Sequence, residues 1–497
     1  ALYAAAAVWV AFSGIHRDHN ADSLVPSLAS RYAWTPFFWE QDRVGLLVPL
    51  AASGCPDAVL NTVLQVGLTV FVGLCLPLLV AELVRPHPAA RAAVTLASAT
   101  MIALSPDLVR NNALFECYYP LAMCLGCAAL LALGRGPGWP SWWRAGVAAG
   151  LLGLAHWVYV GVALWLGPLA VARVWAEPGG AGSWCRAAVR PVCHPRTALG
   201  VVLVVVAFLA GRELMLHAQR TDPTVHTPTP QHGLPPDRWP AAWARFAEAT
   251  AGLERMTTWA TVLIGAAAVG AAAGTLTAPR AAQAVAAGAG VVLLPAACEF
   301  LVLGTRDWIA QNRYHVRYLL GSLVSLQVAL ALLAAWPFLE RPALGWRGRA
   351  RFVVAAAGLF GAAVYEYGWP ALDRPRQELE ARTRPAWAAE LEAAEVDALG
   401  GSYQSVWPVV YWVNLSRERA GNRRFLFAVS GRGVVLFRRR WDPDRPIRVA
   451  VRNDPAERDA FFHHSAGCGL EWPRKVGESG PFEVYLTAVA APAGRAK

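Results

Sequence analysis

Apolar runs of roughly twenty residues recur along this chain, separated by short segments that gather nearly all of its charge. Runs at 1–12, 58–83, 89–105, 113–133, 145–175, 198–217, 257–278, 282–303, 317–339 and 350–369 fit helices that cross a hydrocarbon core about 30 Å thick. The first is short and is expected to be the end of a longer span. The run Ala145–Trp175 holds 31 residues and would reach about 46 Å as one helix, well beyond that core. It is expected to break near His156-Trp157 into two short helices that enter and leave on the same side; one tilted helix is the alternative. A break at membrane depth is tolerated only where protein or a water-filled cavity surrounds it. That places His156 near an internal polar site.

After residue 369 the pattern changes. RPRQELEARTRPAWAAELEAAEVDALGG reads as a charged helical stretch ended by Gly400-Gly401, and VWPVVYWV, RFLFAVS, GVVLFRR, IRVAV and FEVYLTAVA read as short strands between turn residues. The expected fold class is a polytopic α-helical membrane protein of about 10–11 spans, residues 1–369, followed by a small soluble α/β domain, residues 370–497.

Composition supports the class: 497 residues are 56% hydrophobic and 16% charged, with mean hydropathy +0.35, which excludes a soluble multidomain enzyme. The net charge of +11 does not signal nucleic acid, because the arginines are scattered between apolar runs without a basic stripe. Membrane lipids with anionic headgroups are the expected partners. The nine cysteines show no metal-ligand spacing; Cys124 and Cys127 form a CxxC inside an apolar run, where they pack. Arg85 and Arg91, and again Arg341, Arg347, Arg349 and Arg351, mark cytoplasmic loops. Residues 13–43 and the tail are then outside. The two assignments agree only if the 145–175 run returns to its own side, which is the second reason to break it.

The segment 13–43 packs His16, Arg17, Asp18, His19, Asp22, Arg31, Glu40, Asp42 and Arg43 between two runs. Leu24, Val25, Leu28 and Tyr32 recur at helical spacing, so 22–34 is expected to be an amphipathic helix on the membrane surface, its polar start with Asp22 turned toward the protein. Asp22 could equally cap that helix. Four polar segments share the outer face: 13–57, 105–116, 218–256 and 304–316. The second offers Asp107, Arg110, Asn111, Asn112 and Glu116. The third, rich in proline and histidine, is expected to form a cover. The fourth gathers Arg306, Asp307, Arg313, His315 and Arg317. Ordinary solvated loop charge is the bland reading of any one of these residues. Asn414-Leu415-Ser416 matches a glycosylation sequon, read here as accidental.

In layout, residues 1–340 resemble the GT-C membrane glycosyltransferases, the class that includes protein O-mannosyltransferases and the aminoarabinose transferase. The shared features are an outer first loop with an acid, a surface helix, an acid in the second outer loop, a broken fifth run and an outer soluble tail. The resemblance implies a sugar donor carried on polyprenyl phosphate and transfer on the outer face of the cell membrane to a glycan, lipid or protein acceptor. It matches Asp22 in HNADSLVP to the catalytic first-loop acid, and Asp107 or Glu116 to the second-loop acid. Many relatives carry two adjacent acids in the first loop. Here Asn20-Ala21-Asp22 presents one, with Asp18 earlier, so assistance by a divalent cation is left open.

The residue types suit that chemistry on their own terms. A carboxylate can take the acceptor's proton, a contribution of about 10²- to 10⁴-fold. Arginine meets phosphate oxygens with a planar fork that stays charged; Arg110, Arg313 and Arg317 are the candidates, with His315 and His156 beside them. A lipid or saccharide transporter is the main alternative, but an inverted-repeat transporter should show matching breaks in both halves, and the chain shows one. A non-catalytic envelope scaffold is the third.

Overall fold

The computed structural model describes residues 21–32, 34–35, 45–84, 118–133, 142–159, 161–175, 233–251, 301–311, 314, 316–325, 388–422, 424–431, 441–442 and 444–489, with single positions and pairs between 202 and 217 and between 294 and 299. In chain order these form α1 (Ala21–Tyr32), α2 (Leu47–Ala52), α3 (Ala58–Val84), α4 (Tyr119–Ala132), α5 (Trp142–Val158), α6 (Val162–Trp175), α7 (Trp239–Ala251), α8 (Asp307–Gln311), α9 (Ala388–Ala393), β1 (Ala398–Gly400), α10 (Tyr403–Arg419), β2 (Phe427–Val429), β3 (Ile447–Arg452), α11 (Pro455–Gly467), β4 (Arg474–Ser479) and β5 (Phe482–Thr487). They fall into two compact units. One draws on 68–217 and 228–369, the other on 9–67, 218–227 and 370–497.

In the first unit, α4 packs against α5 and α6 through small side chains. Ala122, Cys127 and Ala129 of α4 and Ala148 and Ala155 of α5 are fully buried, and Gly126 leaves the room that Leu166 of α6 fills. Small residues let helix backbones approach closely where lipid, unlike water, gives no drive to bury bulk apolar surface. The 145–175 run divides into two helices, α5 ending at Val158 and α6 beginning at Val162, so the division comes after the expected His156-Trp157, which lie in the last turn of α5. The Tyr159 ring folds over Gly161, whose absent Cβ would collide with it. Cys124 Sγ donates to the Val72 carbonyl at 3.2 Å, in keeping with a packing role for the CxxC.

Helix α3 is inside out by the standard of a water-soluble helix. Asn61, Thr62, Gln65 and Thr69 are buried, while Leu60 is 57% exposed, Leu64 40% and Phe71 39%. Trp143, Val147 and Leu154 form a similar exposed stripe on α5. Over Ala58–Val80, α3 is long and apolar enough to cross a bilayer, the one such helix among the described residues; Tyr119–Ala132 is apolar but shorter.

In the second unit a five-stranded sheet has the order β2-β1-β3-β5-β4. β1 lies parallel to both β2 and β3, with Leu399 level with Ala428 and Ala450, and β5 pairs antiparallel with β3 and β4. IRVAV, FEVYLT and the FAV of RFLFAVS are strands as expected. VWPVVYWV is not: it forms the middle of α10. Val406, Trp407, Val409, Val410, Tyr411, Trp412 and Val413 are all buried, and a run buried on every side carries no period to separate helix from strand. Of the charged stretch, residues 388–401 are described: Ala388–Ala393 is α9, and the end, Ala398–Gly400, is β1. GVVLFRR lies outside the described residues.

Helix α1 forms where its apolar spacing placed it, but protein covers it. Ala21 and Ser23 through Ser30 are buried, so it does not lie with one face on a bilayer. Its serines explain why. Ser27 Oγ donates to Asn61 Oδ1 at 3.0 Å, Thr62 Oγ1 donates to Ser27 Oγ at 2.9 Å, Asn61 Nδ2 donates to Ser30 Oγ at 3.1 Å, and Gln65 Nε2 reaches the Pro26 carbonyl at 3.5 Å. The bonds step from Asn61 to Gln65 as they step back from Ser30 to Pro26. The helices are therefore antiparallel where Pro26–Ser30 meets Asn61–Gln65.

Candidate functional site

Asp22 sits in the first turn of α1 and is half-buried. Its Oδ1 accepts a hydrogen bond from Tyr403 Oη at 2.9 Å, and the neighbouring Ala21 N–H donates to Gln404 Oε1 at 3.2 Å. At the other end of α1, Arg31 Nη2 meets Glu418 Oε1 at 2.6 Å and Tyr32 Oη donates to Glu418 Oε2 at 3.3 Å. Midway, Tyr411 Oη pairs with Thr62 Oγ1 at 2.7 Å and donates to the Ala58 carbonyl at 3.0 Å. Burial pushes the Tyr411 phenol up to about 12, so it stays neutral across the working range. α1 thus carries an acid whose oxygen is fixed by a tail residue, rather than a free cap.

In the other unit, Arg317 lies in the 3-10 turn Val316–Leu319, its guanidinium over the Tyr318 ring at 4.9 Å from the centroid. Tyr318, Leu319, Ile309, Tyr314, Leu303 and Ala242 form one buried cluster, with Leu164 of α6 and Trp243 of α7 packed on it. Tyr314 has φ +52°, a left-handed conformation that a bulky residue adopts only where its surroundings impose it. The third and fourth polar segments meet here. Leu234 N–H donates to the Thr305 carbonyl at 2.8 Å, Gly233 bridges Arg306, and Gly304 leaves space for the Trp243 ring. The part of the expected cover that is described, Gly233–Ala251, is packed down on the arginine-bearing segment.

His156 is buried in the last turn of α5, its ring against Gly211, where an added Cβ would come within 3.1 Å. Past the break, Trp165 Nε1 donates to Ser325 Oγ at 2.8 Å, tying α6 to the helical residues that follow Arg317. The broken run and the Arg317 turn are therefore neighbours. Asp107, Arg110, Glu116, Arg313 and His315 lie outside the described residues.

Sequence reasoning passed over Glu299. It is buried, and its Oε2 accepts from Ser322 N–H and from Ser322 Oγ at 2.7 Å. Gly321 makes this approach possible, since a Cβ there would fall 2.7 Å from both carboxylate oxygens. The signal was available: a lone acid inside the apolar run 282–303 has to be held by protein. Tyr403 offered no such signal. Among the described residues no group of three or more His, Cys, Asp or Glu is arranged to hold a metal ion.

No protein-family model matches the chain, and no curated protein does. Among solved structures it is similar to the crystal structure of ArnT from Cupriavidus metallidurans in the apo state. The two share 14% sequence identity at a TM-score of 0.42, over 99% of this chain and 98% of that one.

Chemically, the described site residues offer a half-exposed carboxylate with one oriented oxygen in one unit. In the other they offer a guanidinium on a rigid turn, backed by a buried carboxylate that caps the next helix.

Proposed function

We propose that this protein is an integral-membrane glycosyltransferase that moves a sugar from a polyprenyl-phosphate carrier to a glycan, lipid or protein acceptor at the outer face of the cell membrane. Residues 1–369 form the GT-C-like membrane domain, with several further spans beside α3, and residues 370–497 the extracytoplasmic domain. The observation that carries the reading is Asp22: an acid in the first turn of α1 that is not sealed from solvent, with one oxygen fixed at 2.9 Å by Tyr403. The inside-out exposure of α3 supports the bilayer setting, because exposed Leu60, Leu64 and Phe71 suit lipid and not water.

In the mechanism, the second oxygen of Asp22 takes the proton of the acceptor hydroxyl as that oxygen bonds to the sugar's anomeric carbon. The bond from that carbon to the phosphate oxygen breaks, and its electron pair leaves on the lipid phosphate. Arg317 neutralises the charge growing there, with Arg110, Arg313, His315 and His156 as further phosphate contacts and Asp107 or Glu116 as the second acid. Preorganised donors of this kind contribute about 3 kcal/mol each to the barrier. The test is Asp22→Asn, which keeps the hydrogen bond from Tyr403 but cannot accept a proton. Transfer from labelled polyprenyl-phosphate sugars should fall by about 10²-fold or more at unchanged expression. A variant as active as the parent removes Asp22 from the reaction.

A further inference from the structure

Asp22 is connected to the C-terminal sheet through Tyr403 and the residues that flank it. β1 ends at Gly400, and Gly401 N–H donates to the Val429 carbonyl at the end of β2 at 3.2 Å. Gly401 has φ +148°, and a Cβ there would strike Glu457 of α11. Glu457 in turn accepts from Ser402 N–H at 2.6 Å, Ser402 Oγ at 3.0 Å and Ser405 Oγ at 2.8 Å. Tyr403 is thus held from both sides, by β2 through Gly401 and by Glu457 of α11 through Ser402 and Ser405. Glu418, near the other end of α10, binds Arg31 and Tyr32. α1 and α10 therefore run parallel, joined at each end.

We propose that Tyr403 is a positioning residue, through which the C-terminal domain holds the Asp22 carboxylate so that its other oxygen faces the acceptor hydroxyl. This rests on reading Asp22 as the base. Tyr403 keeps its own proton throughout: the acceptor's proton goes to Asp22, and the phenol donates to the same carboxylate oxygen before and after. Among the described residues, Tyr403 is the side chain that bonds Asp22 in the geometry described above.

The test compares the full chain with Tyr403→Phe and Asp22→Asn in lipid nanodiscs, using whichever labelled polyprenyl-phosphate sugar the parent protein consumes. For Tyr403→Phe the expected result is a kcat lower by about tenfold, with KM for the donor nearly unchanged and a melting temperature close to the parent's. A readout independent of turnover is carbodiimide labelling of Asp22 at one fixed pH, followed by mass spectrometry: a carboxylate released from its hydrogen bond should be labelled to a different extent in Tyr403→Phe. A kcat and a labelling extent both equal to the parent's overturn the proposal. So does a variant that only melts earlier, with kcat and labelling unmoved. Full activity of Asp22→Asn defeats the base assignment instead, while the labelling of Tyr403→Phe still reports whether Tyr403 holds that carboxylate.

Discussion

Glycines show at single positions how tightly the first unit is built. At Gly321 an added Cβ would sit 2.5 Å from Met123 Cε and 2.7 Å from both Glu299 oxygens, whereas Gly150 on α5 meets nothing within 4 Å. Gly321→Ala should therefore cost about 1–3 kcal/mol of stability, and Gly150→Ala should be neutral or gain up to about 1 kcal/mol. Thermal melts of the two variants in the same detergent check the contrast; equal shifts would contradict the packing described. The same scale shows what sequence can and cannot reveal. Asp22 stands out as a candidate because it opens a predicted helix, and Glu299 is visible because it interrupts an apolar run. Tyr403 is not, for its bond to Asp22 joins residues 381 positions apart, a pairing that only the fold creates.

Among elements, those with one exposed face announce themselves. β3 alternates enough to be read as a strand, and α3 declares itself by length. α10, apolar all round, reads equally as strand, and β4, RKVGES, is charged and exposed throughout its first five residues, with no apolar rhythm at all. What holds this edge strand is chemistry rather than pattern. Lys475 Nζ lies 2.8 Å from Glu483 Oε1, and Tyr485 Oη donates to Glu483 Oε2 at 2.6 Å. The hydrogen bond from Lys475, then that from Tyr485, holds the Glu483 carboxyl below the ordinary carboxylate range. A depressed carboxyl contributes stability that is present above the unfolded value, about pH 4, and is lost as pH falls through the folded one. Amide exchange in β4 and β5, corrected for intrinsic rates, should accelerate on acidification below about pH 4 in the parent. It should be much less sensitive to pH in Glu483→Gln. Identical acid responses in the two would remove Glu483 from the account.

For the whole molecule, composition and the spacing of apolar runs are enough to point to a bilayer. They cannot show that residues 9–67 group with the tail, because that depends on the Ser27–Asn61–Thr62–Tyr411 network. The exposed leucines of α3 make the bilayer testable: Leu64→Arg, near the start of Ala58–Val80, should oppose insertion by less than the roughly 2.5–3.5 kcal/mol that an arginine costs at a span's centre. It should deplete protein from the carbonate-resistant membrane fraction, while Leu64→Phe should not. The break at Tyr159–Gly161 bears on topology. If the broken run returns to its own side, Cys185 reacts with impermeant thiol reagents from the cytoplasmic side alone; labelling from outside would mean that the run crosses. The most direct measurement of the central claim is turnover of labelled polyprenyl-phosphate sugars by the purified protein in lipid, with Asp22→Asn alongside. The account predicts consumption of at least one donor by the parent and a loss of about a hundredfold or more in the variant. No turnover across the panel, or equal turnover by both proteins, would contradict it.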